Sequence, residues 1–307
     1  MRGPSALALA VALAAPALGA QQLVPRTFPV KDVESYSLQS PGMERQYDVI
    51  VGLPQGYVAD PAKRWPLLVV TDGNMAFRLA NDAAQILASQ GDIEGLLVVG
   101  IGTPVEGGDS AWTRRRIHEF SPPGWPMTDR FGQLVRRLCE TNRVPAGDCT
   151  GGAPRFLRFI VSEVLPLVQA KYRIDPARLG LFGVSAGGFF ASWAIFQAES
   201  PFTTYIISSP AMAYGDGEIY RQEAQYAEGH QDLKAGIYVA SGTLEMDHPD
   251  FEGVGQIVSG QMRLGAALRG RKYPGLRLYT EMHQGLGHGD ATGTTLVRGM
   301  RLLYGRQ

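Results

Sequence analysis

Cysteine is nearly absent: Cys139 and Cys149 are the two in 307 residues. That is too few for a disulfide scaffold or a structural zinc site. An excess of charge of either sign is missing as well. Twenty-nine basic and 29 acidic side chains leave a formal net charge of zero, which gives no global attraction to nucleic acid or to an anionic membrane surface. No block of like charge interrupts a chain that is 45% hydrophobic, so wholesale disorder is excluded. Long apolar runs are lacking too, because charged residues break each one short of the roughly 20 residues that span a bilayer. H-E-x-x-H does not occur, and neither His230 nor His248 has a partner at metal-ligand spacing, so no metal is expected. Glycine (38) and proline (20) are too frequent for a helical bundle and too aperiodic for a collagen-like chain. A globular, loop-rich protein remains.

The first twenty residues, MRGPSALALAVALAAPALGA, have a basic start at Arg2, a short apolar core from Ala6 to Ala15, Pro16, and small residues at Gly19 and Ala20. This pattern predicts a cleaved export signal over 1–20 and a periplasmic or secreted protein over 21–307. An oxidising compartment permits Cys139 and Cys149 to close a small local loop, although two separate buried thiols remain the alternative.

Downstream, the hydrophobic pattern alternates between strands and helices. Val33–Ser40 and Arg45–Leu53 have the alternation of paired strands, while Trp65–Val70, Leu96–Ile101, Leu179–Val184, Thr203–Ser208 and Gly236–Ser241 are continuous runs suited to strands buried on both faces. Helical spacing fills Ala76–Ala88, Phe156–Tyr172, Ala186–Gln197, Gly255–Leu268 and Thr292–Leu303, with a last strand at Leu276–Glu281. Such alternation predicts one α/β domain with a mostly parallel sheet and right-handed crossovers. Between about 103 and 152 periodicity fades, and a segment without regular structure is expected to serve as a lid or binding loop.

The chemistry centres on Gly183-Val184-Ser185-Ala186-Gly187, a G-x-S-x-G between a strand and a helix. A sharp turn there lifts the Ser185 hydroxyl clear of the sheet and aims helix N-terminal amides at developing negative charge. Serine needs a base, and the base needs a carboxylate to hold its tautomer; on such a fold the order along the chain is Ser, acid, His. His288, in Gly287-His288-Gly289-Asp290, occupies the expected loop, with His283 as its rival. Glu245 follows the strand ending near Ser241, and Asp247 is the competing acid. The amides of Ala186 and Asn74 are the candidate oxyanion donors, Gly73 allowing the bend that turns the second inward.

The segments TDGNMAF (71–77), GGAPRFLRFIVSEVLPLVQAKYRIDPARLGLFGVSAGGFFA (151–191), ASGTLE (240–245) and GLGHGDATGTTLVRGMRLLY (285–304) resemble the esterase branch of the α/β-hydrolases. Within it they are most similar to the enterochelin-esterase and siderophore-trilactone-hydrolase group, with esterase D more distant. The resemblance implies an α/β-hydrolase fold with a lid-like insertion after the fourth strand, and a Ser-His-acid hydrolase acting on carboxylic esters with no cofactor. By position it assigns Ser185 as nucleophile, His288 as base, and Asn74 and Ala186 as oxyanion donors; Glu245 is its acid, although some members rely on a Ser–His pair.

Within the insertion, Arg114, Arg116 and Trp112 are candidate substrate contacts, since relatives often carry arginines there; a solvated basic turn is the plain alternative. The expected partner is a small-molecule ester, siderophore lactones among the candidates, with no nucleic acid and no membrane span. Two competing readings share the fold: an acyltransferase using the same triad, and a catalytically silent envelope-binding protein. Neither the natural ester nor the oligomeric state is legible.

Overall fold

The structure, a computed structural model, describes residues 32–104 and 108–305. The predicted export signal lies outside these residues. One eight-stranded sheet organises them. β1 (Val33–Ser40) and β2 (Arg45–Gly52) form an antiparallel hairpin. β2 pairs antiparallel with β4 (Leu97–Gly102), and β4 runs parallel to β3 (Trp65–Val70). β5 (Ile174–Val184), β6 (Thr204–Ser208), β7 (Ala235–Gly242) and β8 (Leu276–His283) extend the parallel part, giving the order β1-β2-β4-β3-β5-β6-β7-β8. This is the mostly parallel α/β sheet that the alternating sequence predicts.

The run Trp65–Val70 and the core of β5 are buried on both sides because helices cover both faces. On one face α1 (Gly73–Ser89) and α10 (His288–Tyr304) set Phe77, Ala80, Leu296 and Met300 against Leu68, Phe182 and Ile206. On the other, α7 (Ala186–Ala194) contributes Phe189, Phe190 and Trp193 to the larger core, which also holds Leu264 and Leu268 of α9 (Ile257–Arg271).

The helix expected over 156–172 is longer and interrupted. α5 (Ala153–Phe159) passes through a wide π turn at Ile160–Val164 into α6 (Leu165–Lys171). Pro166 explains the widening: it has no N–H to donate, and its ring would clash with the carbonyl four residues back.

One expectation is corrected. The 103–152 segment is not devoid of regular structure but contains α2 (Gly108–Phe120), α3 (Arg130–Thr141) and the short α4 (Ala146–Cys149). In α3, Val135 and Cys139 are buried four residues apart, and Asp129 caps the helix by accepting from Gly132 N at 2.9 Å. Arginines fill the positions between apolar residues and mask that period. α8 (Glu218–Gly229), which buries only Ile219 and Glu223, shows too little apolar periodicity to be read from the sequence. Cys139 and Cys149 are disulfide-bonded, joining the end of α3 to α4.

Candidate active site

Every candidate site residue follows the C-terminal end of a parallel strand, where open α/β sheets bind ligands. Ser185 follows β5, Asn74 follows β3, Glu245 follows β7 and His288 follows β8. β3 and β5 are neighbours although β4 separates them in sequence, so the turns that carry Asn74 and Ser185 leave adjacent strands where the strand order reverses.

Ser185 has φ 59° and ψ −117°, a conformation rare for any residue with a Cβ. Hydrogen bonds on both sides hold it there: its N–H donates to Ser208 O at 3.0 Å, and its carbonyl accepts from Phe189 N at 2.9 Å and Ala211 N at 3.0 Å. The flanking glycines are steric necessities. A Cβ at Gly183 would run into the Gly187 carbonyl, and one at Gly187 would lie 2.7 Å from Thr71 Oγ1 and 3.3 Å from Asp72 Oδ2. The second contact brings the starts of α7 and α1 together. Asp72 is the left-handed N-cap of α1 (φ 54°) but does not cap it with its side chain. Its Oδ1 instead accepts from Arg116 Nε at 2.7 Å. The first-turn amides of both helices, Asn74 and Ala186 among them, therefore have no carbonyl one turn back within their own helix. The Asn74 side chain faces away, exchanging two hydrogen bonds with the Thr103 backbone at 2.8 and 2.6 Å.

The acid and imidazole candidates are in direct contact. Glu245 is fully buried, and its Oε1 accepts from His288 Nδ1 at 2.5 Å. Its Oε2 accepts from Gly242 N at 2.7 Å and from Ser209 Oγ at 2.8 Å. An acceptor-only carboxylate in this position sets the Nδ1–H tautomer and leaves Nε2 with its lone pair free. The rivals sit elsewhere. Asp247 is exposed, whereas His283 is buried, places Nε2 3.2 Å from Thr295 Oγ1, and is held below the usual imidazole range first of all by burial. Among the described residues no hydrogen bond joins Ser185 to His288.

Two contacts at this site escape sequence reasoning. Ser209, itself left-handed at φ 43°, fixes Glu245 from 36 residues away and borders Ser208, whose carbonyl holds Ser185. Phe251 stacks on the His288 ring, with centroids 4.2 Å apart and planes at 19°. No motif signals either residue.

The insertion candidates divide. The Arg116 guanidinium is committed to Asp72, reaches the Val184 carbonyl at 3.4 Å and lies 4.6 Å from the Trp112 ring centroid, tying α2 to both strand ends. Arg114 opens instead onto a cleft of about 540 Å³ shared with Arg45, Arg115, His118, Arg143 and Asp148.

The likenesses agree with this geometry. A family model described as "Putative esterase" matches residues 138–252. The siderophore enterobactin esterase of Emericella nidulans is 31% identical over 52% of this chain and 50% of its own, so the chain spans about half that relative's length. The siderophore triacetylfusarinine C esterase of Aspergillus fumigatus is 29% identical over 73% of this chain and 72% of its own. Among solved structures, the siderophore hydrolase EstA of Aspergillus nidulans superposes with a TM-score of 0.74 at 22% identity, covering 91% of this chain and 98% of that one. Fold and likeness together show the α/β-hydrolase fold, and the named relatives are siderophore esterases. Within that fold the chain is similar to siderophore esterases, the likeness that the enterochelin-esterase resemblance of its motifs leads one to expect.

Proposed function

We propose that the protein is an exported serine esterase that cleaves siderophore esters through an acyl-enzyme on Ser185. The observation that carries this reading is the buried Glu245–His288 hydrogen bond beside a serine held at a strained strand–helix turn. His288 Nε2 takes the Ser185 proton as Oγ attacks the ester carbonyl, and Glu245 stabilises the imidazolium. The Asn74 and Ala186 amides, at the positive ends of α1 and α7, receive the tetrahedral oxyanion. His288 then protonates the leaving alkoxide and activates the water that releases the acid. A hydroxyl–imidazole hydrogen bond absent from the free site is ordinary for such enzymes and tightens with substrate.

The names of the relatives support siderophore esters as substrates, and the opening twenty residues support export. Arg114 and Trp112 both lie on α2, Arg114 on the cleft with Arg45 and His118 and Trp112 against Arg116. Of the two arginines, Arg114 is the one that meets an anionic arm of the substrate, because Arg116 is occupied by Asp72.

Ser185→Ala abolishes turnover of a short p-nitrophenyl ester and labelling by a fluorophosphonate, with an unchanged circular dichroism spectrum. Turnover retained by that variant refutes the nucleophile. A panel of siderophore, acetyl and feruloyl esters tests the substrate class, and a preference for the latter two would overturn it.

A further inference from the structure

The loop between β7 and α9 does more than deliver Glu245. After the acid the chain turns back at His248, whose Nδ1 accepts from the amides of Asp250 at 3.2 Å and Phe251 at 3.4 Å. Glu252 N donates to His248 O at 2.9 Å, and the Glu252 carboxylate accepts from Val258 N at 2.8 Å in the first turn of α9. The Phe251 carbonyl accepts from Ile257 N at 3.2 Å. Phe251 is therefore held at both ends of its turn. Its ring is the middle of a three-ring stack: His248 lies on one face (centroids 4.2 Å, 29°) and His288 on the other (4.2 Å, 19°).

This stack has a consequence for the imidazole. One hydrogen bond from Nδ1 to Glu245 fixes a point of the ring but allows the plane to swing about it. A parallel aromatic face removes that freedom. It also presents the negative face of its quadrupole, which attracts a cation within about 6 Å of the centroid. Resting on the triad reading above, we propose that Phe251 is a positioning residue: its face fixes the plane of the His288 ring and stabilises the imidazolium formed as Ser185 loses its proton. On the elements that carry the stack, the titratable and charged groups are Glu245, Asp247, His248, Asp250 and Glu252 on the loop after β7, His283 at the end of β8 and Asp290 in the first turn of α10. Glu245 alone among them hydrogen-bonds the imidazole within the described residues.

The test compares Phe251→Leu, Phe251→Met and Phe251→Tyr in the mature chain, by NMR titration of the His288 ring and by steady-state hydrolysis of p-nitrophenyl acetate. Leu and Met fill the space without a π face. Both should move the ring's titration midpoint about half a pH unit lower, and move the acid limb of kcat/KM with it. They should lower kcat about tenfold, as expected when a stabilisation worth about 1.4 kcal/mol in the transition state is lost, with KM little changed. Tyr restores both values. An unmoved midpoint in Leu and Met, or a Tyr variant as impaired as Leu, overturns the proposal. Absence of wild-type turnover alongside a shifted midpoint counts against the esterase reading and supports the stacking role.

Discussion

Ser209 shows how much of the site depends on a side chain that takes no part in bond-making. Its hydroxyl donates to Glu245 Oε2 at 2.8 Å while its own N–H donates to Ala240 O at 2.8 Å, so one residue links the acid to the strand beneath it. Glu245 is fully buried, and a buried carboxylate that loses a donor keeps the full desolvation penalty for the freed lone pair. Ser209→Ala should lower kcat about tenfold, equivalent to roughly 1–2 kcal/mol, with KM nearly constant. A KM that rises in step with the loss of kcat/KM would instead make Ser209 a substrate contact. Asp247→Asn supplies the contrast. Asp247 is exposed, and the variant should turn over p-nitrophenyl acetate at the wild-type rate, whereas Glu245→Gln should be severely impaired. Equal losses in the two acid variants would undo the assignment of Glu245.

Elements reveal which parts of the protein could be read in advance. The strands β3, β6 and β7 are continuous apolar runs bounded by turn residues, and such runs signal strands buried on both faces without reference to any distant partner. The turn around Ser185 was legible for a similar reason, since its glycines and flanking strand and helix lie within a dozen residues. The hydrophobic signal of β5 begins only at Leu179, although the strand starts at Ile174, because Asp175, Pro176 and Arg178 on its more exposed entry carry none. The helices of the insertion are illegible because arginines are interspersed among their few apolar residues and mask the period. Ser209, Phe251 and the Arg116–Asp72 pair were invisible for another reason: each acts on a residue 36 or more positions away, and no local pattern encodes such a meeting. The disulfide is the insertion's own fastening. Cys139 and Cys149 are ten residues apart and both buried, and α4 is a single turn that could not persist alone. Replacing both by serine should destabilise this corner by about 2–3 kcal/mol. Hydrogen exchange should accelerate over 130–149 while the amides of β3 and β5 stay protected. Uniform acceleration across the sheet would show that the clamp supports the whole fold rather than one corner.

Across the whole molecule, stability depends on groups whose ionisation differs between the folded and unfolded chain, and Glu119 is the strongest case among the buried carboxylates. Its carboxyl, on α2, is 4% exposed, accepts from Tyr47 Oη at 2.5 Å and from Arg45 Nη1 at 3.2 Å, and so joins the insertion to β2. Burial, the dominant cause, lifts it from an ordinary 4.5 to about 7, against the pull of the Tyr47 and Arg45 contacts. The sign of the linkage follows directly. Between these two values the folded chain holds a proton that the unfolded chain has released, so stability falls as pH rises through the window. The contribution is fully present below pH 4.5 and gone above about 7. Two and a half pH units at about 1.4 kcal/mol each set an upper bound of about 3–4 kcal/mol, of which about 2 kcal/mol is expected. Glu119→Gln keeps an oxygen for Tyr47 and Arg45 and never ionises. Measured against wild type by urea unfolding, the variant should be similar in stability at pH 5 and more stable by about 2 kcal/mol at pH 8. The difference between the two proteins isolates this carboxyl, because every other titrating group is common to both. If the variant is instead the less stable at pH 8, the Arg45–Glu119 ion pair outweighs the desolvation of its carboxylate, and the insertion is anchored to β2 by charge.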